Sequence, residues 1–265
     1  MNIGPVQRET HQVRLEGADR VEVTVQFGGG NLDIESGSDA LLSGEFAYNV
    51  PDLKPEIVYN IHGINGVRGE LLIRHKEQTI RWDRSIIELH NEWQLRLTED
   101  VPLDLNADVG ASTGELKLGG LRLASLNLTA GAADMRVQFD RPNAERLKSL
   151  SVRSGAARLD LLDLGNANLD ELTFDGGLGT YTFDFRGEWQ RSARAHIKAG
   201  ASRVLLRIPR EIGVRVCPGD LRSGDYDGLR EQGDCYVNSL YNQSDIQLDI
   251  SLDLGLGRLT VKQVN

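Results

Sequence analysis

The sequence is poor in methionine, aromatic residues and cysteine, and it contains no long apolar run. Two Met, two Cys and 6% aromatic residues occur among 265. No stretch of about 18 consecutive apolar residues is present, which excludes a membrane-spanning helix. The first ten residues, MNIGPVQRET, contain no apolar signal core, so we expect either a cytosolic protein or a leader outside this sequence.

Positive charge is also scarce, because the formal net charge is −9. Binding to nucleic acid requires a positive surface that neutralises phosphates, so no nucleic-acid partner is expected. Helical periodicity is nearly absent, whereas glycine is abundant, at 29 residues. Short apolar alternations between these glycines predict an all-β protein, and 40% hydrophobic residues are enough for a core.

The dominant feature of the sequence is an internal repeat. The segment LNLTAGAADMRVQF, which begins at Leu126, aligns without gaps with six other segments. Position six of all seven copies is glycine: Gly28, Gly110, Gly131, Gly155, Gly177, Gly200 and Gly255. Between Gly110 and Gly200 these glycines are 21, 24, 22 and 23 residues apart. This period predicts a single-stranded β-helix, a solenoid of Gly-cornered coils of about 22 residues.

The repeated glycine has an architectural rather than a chemical interpretation. Apolar residues occupy positions one, three and five before it, and the small residue at position eight and apolar residues at ten and twelve follow. This shift of phase by one residue requires a bulge or corner, where glycine could adopt left-handed conformations. The inward positions of four copies predict a continuous core of Leu126, Leu128, Met135, Val137, Leu150, Val152, Leu159, Leu161, Leu172, Phe174, Tyr181, Phe183, Val204 and Leu206.

Several short motifs look chemical but lack the context that their chemistry needs. GASTG at 110–114 matches a nucleophile elbow around Ser112, but a strand rather than a helix follows it. GLGTYT and GLGRLT lack the third glycine of a dinucleotide loop, and GDYDG at 224–228 lacks the spaced acids of a calcium loop. No zinc-type spacing relates the five histidines, which we interpret as surface residues: His11, His62, His75, His90 and His196. We therefore predict no catalytic residue, no cofactor site and no metal site.

Outward-facing charges would form columns if the coils stack in register. Position four gives Asp108, Thr129, Arg153, Asp175 and Lys198, and position nine gives Thr113, Asp134, Arg158, Thr180 and Arg203. Because the signs alternate, we expect a solvated face with favourable cross-strand pairs rather than an acid-rich catalytic cleft.

Two regions are predicted along the chain. Residues 1–100 form an N-terminal β region that provides the first coil and a cap, since longer strands with Pro and Asn-Gly turns replace the repeat over 40–104. Residues 101–265 carry the solenoid repeats, with an irregular insertion at 209–245. A cap is expected because a bare end coil would leave a sheet edge open to aggregation.

The N-terminal block and the coils resemble a known family. EFAYNVPDLKPEIVY, NEWQLRLTEDVPLDLNADVGASTGELKLGGL and the coils GAADMRV, GAARLDL, GLGTYTF and GASRVLL are similar to the toastrack proteins. These overlap with the "putative adhesin" domains of unknown function on bacterial exported proteins. The resemblance implies a β-helix outside the cytoplasmic membrane, behind a leader or membrane anchor, in a family linked to cell-envelope stress. It implies no catalytic residue.

The two cysteines lie where the repeat fades. VRVCPG at 214–219 has Val214 and Val216 in inward phase and Gly219 in the corner place, and a polar loop or degraded coil follows. A bridge between Cys217 and Cys235 would close a loop of about 19 residues, worth about 3 kcal/mol in the chain-entropy model. The resemblance to exported proteins makes oxidation feasible. Two unrelated thiols are the alternative, and a zinc site is disfavoured because no further ligands are near.

Two functions from different classes follow. The first is a non-catalytic envelope or cell-surface module that contacts a protein or polymer, in adhesion or envelope-stress response. The second is a carbohydrate-active β-helix enzyme of the polysaccharide lyase or hydrolase type. Low aromatic content favours the first, because sugar clefts usually need stacking platforms and only Trp82, Trp93 and Trp189 could offer them.

Overall fold

The protein is all-β, as predicted. The computed structural model describes residues 3–63, 66–76, 89–219 and 224–265. These residues form sixteen β-strands and two short 3-10 helices, at Pro51–Leu53 and Leu164–Ala167, with no α-helix among them. In the same part of the chain no helix is long and apolar enough to cross a bilayer.

The strands fall into one continuous sheet. The N-terminal strands are β1 (Gln7–Val13), β2 (Arg20–Ser36), β3 (Leu42–Tyr48), β4 (Pro55–His62), β5 (Arg68–His75), β6 (Asn91–Leu97), β7 (Leu103–Lys117) and β8 (Leu123–Gln138). The C-terminal strands are β9 (Ser149–Leu162), β10 (Glu171–Asp184), β11 (Ala193–Pro209), β12 (Gly213–Cys217), β13 (Gly224–Tyr226), β14 (Arg230–Gln232), β15 (Cys235–Val237) and β16 (Gln247–Val264).

The seven repeat copies lie on seven long parallel strands, β2, β7 to β11 and β16. Neighbouring strands pair in repeat register, so that Leu128 lies opposite Val152 and Phe174 lies opposite Ile197. Each long strand continues through its glycine. We call the part before the glycine the first arm and the part after it the second arm.

The inward residues of both arms pack into one core. All fourteen core residues predicted from the repeat are at most 2% exposed, which confirms the change of phase across the glycine. Positions six and seven are mostly both exposed, as at Gly131 and Ala132, whereas the flanking Ala130 and Ala133 are buried. Since side chains alternate along a regular strand, two successive outward residues mark a bend around the core.

The corner glycines do not adopt the left-handed conformation that was expected of them, so that expectation is wrong. None of the seven glycines at position six has a positive φ. The reason for glycine there is space: a Cβ on Gly155 would lie 2.9 Å from the carbonyl oxygen of Gly131, and one on Gly200 would lie 2.8 Å from that of Gly177. These corner glycines therefore stack on one another's backbone, and at Gly155 and Gly200 an added methyl group has no room.

Five strands cover the N-terminal end of the stack. β5 pairs in parallel with the first arm of β2, and β6 pairs in parallel with its second arm. Antiparallel strands extend both arms: β4 lies beside β5, and β3 followed by β1 lies beside β6. The buried Trp93 of β6 contacts Phe27 and Phe46, with ring centroids 5.0 and 5.4 Å away.

The C-terminal end is built out of chain order. β16 lies between β11 and β12, so the last copy of the repeat is covered by strands from the segment that precedes it. β12 pairs with the first arm of β16 and β13 pairs with its second arm. Val214 and Val216 are buried as expected, but Val216 lies opposite Ile250, at position one of its copy. Gly219 consequently falls two residues short of the corner place predicted for it.

Buried asparagines connect the turns that join the long strands. Asn143 is completely buried, and its Nδ2 donates to the carbonyl oxygens of Leu123 (2.8 Å) and Ala167 (3.1 Å). Its Oδ1 accepts a hydrogen bond from the Leu123 amide at 2.9 Å. Asn143 thus satisfies backbone groups of the turns on both sides of its own, where no strand ladder could pair them.

Candidate functional surface

The outward residues of the parallel strands form straight columns with the predicted members. At position four Arg153 lies opposite Asp175, which lies opposite Lys198. At position nine Asp134 lies opposite Arg158. The expected ion pairs are nevertheless absent from these columns in the described structure, since no nitrogen lies within 4 Å of a carboxylate oxygen there. The charged groups stay solvated and free for external contacts.

Ser112 is not placed as a nucleophile. Its side chain is buried at 5% exposure, and its Oγ contacts the Met135 sulfur at 3.7 Å. The residue fills the small inward place of its copy, as Ala133 and Ala157 do in the next two. The glycines of GLGTYT and GLGRLT lie in corners of β10 and β16 and open no helix.

A Ser–His–Glu chain, which sequence reasoning missed, lies on the outer face of three neighbouring strands. The Nδ1 atom of His196 is 2.7 Å from Ser251 Oγ, and its Nε2 atom is 3.6 Å from a carboxylate oxygen of Glu171. The three residues come from β11, β16 and β10, so no local motif could reveal them. Ser251 is paired with strands on both sides, which commits its backbone amide to the sheet, so this amide is not available as an oxyanion donor.

His75 is not a surface residue, contrary to expectation. It is 5% exposed, and its Nδ1 donates to the Leu53 carbonyl oxygen at 3.1 Å, while Nε2 has no hydrogen-bond partner. Its ring lies 4.7 Å from that of Trp93. Burial lowers the pKa of the His75 imidazole, and the bond to Leu53 opposes part of this effect.

Neither aromatic platforms nor acid clusters form a cleft in the described residues. Trp93 is fully buried, Trp189 donates its Nε1–H to the Phe185 carbonyl at 2.9 Å, and Trp82 lies outside the described residues. In the described part of the chain no group of three or more His, Cys, Asp and Glu could hold a metal ion. The first three residues of GDYDG form strand β13. The ring of Tyr226 in this strand stacks on the ring of Tyr236, with the centroids 3.7 Å apart.

The described residues line several depressions on the surface. One of about 410 Å³ lies beside Arg146, Asp170, Arg194 and Asp249. Arg146 pairs with Asp170 at 2.7 Å, so part of its charge is neutralised within the protein. These depressions of the described surface are open to solvent rather than enclosed.

Cys217 and Cys235 lie in adjacent antiparallel strands, β12 and β15. The structure joins their sulfur atoms at 2.04 Å, with the Cα atoms 4.2 Å apart. The bridge would tie β12, which covers the first arm of β16, to its outer neighbour β15. Its formation in the protein stays a prediction, as does the architectural role of the corner glycines.

A solved structure shares this fold, and a second one resembles it more weakly. A "putative cell adhesion protein" from Clostridium sporogenes matches 98% of this chain and 100% of its own, with 22% identity and a TM-score of 0.56. A "putative adhesin" from Bacteroides fragilis matches 97% of each chain with 11% identity and a TM-score of 0.41. Among curated proteins, none matches this chain.

A family profile gives the assignment. The profile described as the N-terminal domain of toast_rack, DUF2154, matches residues 2–148 and again 143–207, which together span well over half of the chain. This confirms the resemblance found in the N-terminal block and in the Gly-Ala coils. The chain therefore belongs to the toast_rack family.

Proposed function

We propose that the protein is a non-catalytic module of the bacterial cell surface or envelope that makes contacts through its outer faces. The observation that carries this proposal is the set of solvated, outward columns on seven parallel strands, combined with depressions of the described surface that are open to solvent. We further propose that the seven copies form a single-stranded β-helix of about 22 residues per coil. The shared register of the long strands supports it.

The partner we propose is a protein or an envelope polymer. The solved structure of the same fold that is described as a "putative cell adhesion protein" supports an extracytoplasmic location and a role in adhesion. A link to envelope-stress response rests on the family resemblance alone. A regular sheet face with fixed spacing between strands suits an extended partner, because equivalent groups recur about every 4.8 Å along the stack.

The competing function is a carbohydrate-active enzyme. Such an enzyme needs two carboxyl groups on either side of a bound sugar ring and a cleft that excludes water. Asp175 instead lies between Arg153 and Lys198 in its column, and the tryptophans described above give no exposed platform. The Ser251–His196–Glu171 chain resembles a hydrolytic arrangement, but the sheet ladder occupies the backbone amide of Ser251 that could otherwise stabilise an oxyanion.

The proposal is tested by measuring binding and turnover on the same preparation. A glycan array and isolated envelope fractions are probed with labelled protein, and reducing ends released from each bound glycan are assayed. Saturable binding without released ends is expected, and binding should weaken in Arg153→Glu/Lys198→Glu but not in the inward-facing Ile197→Val. Release of reducing ends, or labelling of Ser251 by a fluorophosphonate that disappears in Ser251→Ala, would contradict it.

A further inference from the structure

The bends of the long strands form an exposed ridge that becomes apolar toward the C-terminal end. We define the corner ridge as the residues at position seven of six copies: Ala111, Ala132, Ala156, Leu178, Ala201 and Leu256. Leu178 is 60% exposed and Leu256 is 74% exposed. With Val6, they are the large hydrophobic side chains most exposed in the described structure. The two leucines replace the alanine of other copies.

A basic column runs beside the two leucines, two residues further along the strands. Arg158 lies opposite Thr180, Thr180 opposite Arg203, and Arg203 opposite Arg258. All three arginines are exposed, and within the described residues none has a carboxylate oxygen within 4 Å. Like charges directly opposite each other destabilise a sheet, so the Arg203–Arg258 pair has no evident structural benefit.

The shape of the ridge limits what could cover it. The core lies inside both arms, so the ridge is convex toward solvent. A depression among the described residues lies beside Arg258 and is also lined by Asp225 and Thr260, but neither leucine of the ridge lines it. Two ridges from two copies would meet along a line and would bury far less than the roughly 800 Å² per partner of a standard interface. A flat, deformable surface fits a convex ridge, and the arginines require that surface to be anionic.

We propose that this end of the corner ridge docks on the surface of a bilayer containing anionic lipids. Leu178 and Leu256 are two strands apart, about 10 Å, and would enter the boundary between headgroups and acyl chains. Arg158, Arg203 and Arg258 would bind lipid phosphates, for which the planar guanidinium is suited. This goes beyond membrane contact through a leader or anchor, and it does not depend on the adhesion partner.

The distribution of charge agrees with this orientation. Residues 1–130 contain 20 acidic and 12 basic residues, a net charge of −8, whereas residues 131–265 contain 19 and 18, a net charge of −1. The copies that carry the leucines and arginines all lie in the second part. An anionic surface therefore repels the N-terminal end of the stack much more than the C-terminal end.

The test is cosedimentation of the full chain with vesicles, in about 0.1 M salt. Vesicles of phosphatidylcholine alone are compared with vesicles that contain phosphatidylglycerol in addition. We expect at least fivefold more bound protein on the anionic vesicles. The double variants Leu178→Ser/Leu256→Ser and Arg203→Ser/Arg258→Ser should each lose at least fivefold of that binding, because both the apolar and the charged contact are needed.

A matched control removes two cations elsewhere. Lys148 and Arg194 are exposed near the start of the first arm, away from the corner ridge, and Lys148→Ser/Arg194→Ser should bind within twofold of the original protein. Thermal melting of every variant verifies that it is folded. Equal binding to both kinds of vesicle, no binding to either, or full binding by the leucine variant would overturn the proposal. So would a control variant that loses as much binding as the arginine variant.

Discussion

At the scale of single residues, the corner glycine shows what a repeat can and cannot reveal. The glycine position and the change of apolar phase were readable because both recur in seven copies. The reason for glycine could not be inferred from the sequence, because the spacing of the repeat does not distinguish a left-handed backbone conformation from a lack of room for a Cβ atom. Only the register, which stacks Gly155 on Gly131, shows that the Cβ is excluded by the neighbouring carbonyl group.

The corner glycine gives the first prediction. Gly155→Val should lower the free energy of unfolding by about 1–3 kcal/mol, since even its Cβ would meet the Gly131 carbonyl oxygen at 2.9 Å. Gly155→Ala should have a smaller effect in the same direction. Urea titration measures both.

Gly255→Ala is the matched control for that prediction. A Cβ on Gly255 would be in ordinary contact, 3.5 Å from the carbonyl oxygen of Gly200. We expect its stability to change by less than about 0.5 kcal/mol, or to rise slightly because the unfolded chain loses freedom. Equal losses from Gly155→Ala and Gly255→Ala would refute the stacking explanation.

The second prediction concerns His75, whose neighbours are the rings of Phe27 and Trp93 and the carbonyl of Leu53. Burial lowers its pKa in the folded state, so below about pH 6.5 the unfolded chain binds a proton that the folded chain does not. Stability should therefore fall as pH decreases from 7.5 to 5, by at most about 1.4 kcal/mol per unit from this group. The difference between the original protein and His75→Gln isolates the effect.

The control for this pH effect is His62→Gln, since the His62 side chain is 60% exposed. It removes an imidazole from the surface without opening the core, so it controls for the loss of a histidine as such, and stability at pH 7.5 should change by less than about 0.5 kcal/mol. An unaltered slope in His75→Gln would show that His75 does not hold a depressed pKa.

At the scale of elements, the long strands were predictable and their connections were not. Alternation in LSVRSGAARLDL marks both arms of β9, because every inward place is apolar or small. The turn residue Asn143 carries no such periodicity, although it satisfies three backbone groups. The place of β16 between β11 and β12 was also missed, because pairing between residues far apart in sequence leaves no local pattern.

The third prediction tests the turn. Asn143→Ala should lower the free energy of unfolding by about 2–4 kcal/mol, because buried groups of Leu123 and Ala167 lose their partner. Asn127→Ala is the control: its side chain bonds Asn106 on the exposed face at 2.8 Å, and its loss should cost less than about 0.5 kcal/mol. Equal effects in thermal or urea unfolding would rule out a special role for Asn143.

The fourth prediction concerns the bridge between β12 and β15. Unreduced protein from an oxidising host should show no alkyl adduct at Cys217 or Cys235 in denaturing alkylation followed by intact mass measurement. Two adducts would rule the disulfide out. Reduction should destabilise the protein by about 3 kcal/mol, because the closed loop restricts the unfolded chain.

At the scale of the whole molecule, one sheet and one main core extend across the chain. The core cluster contains residues of β2 and β5 as well as β16. It therefore extends across residue 100, where a division into two regions was predicted. That division stays a prediction. The family could be recognised from sequence because the N-terminal block is distinctive. The corner ridge could not be predicted from the sequence, because only the stacking of the strands brings Leu178 and Arg258 onto the same surface.

The stacking of the copies is the central claim, and distances between position-four residues test it most directly. Spin labels on non-native ketone side chains, which leave the cysteines untouched, are placed at Asp108 with Lys198 and at Asp108 with Asp253. Four and five strand spacings separate these pairs, about 19 and 24 Å between backbones. Pulsed electron paramagnetic resonance should give narrow distributions that lengthen by about 5 Å from the first pair to the second. Broad distributions, or a second distance equal to or shorter than the first, would contradict the account.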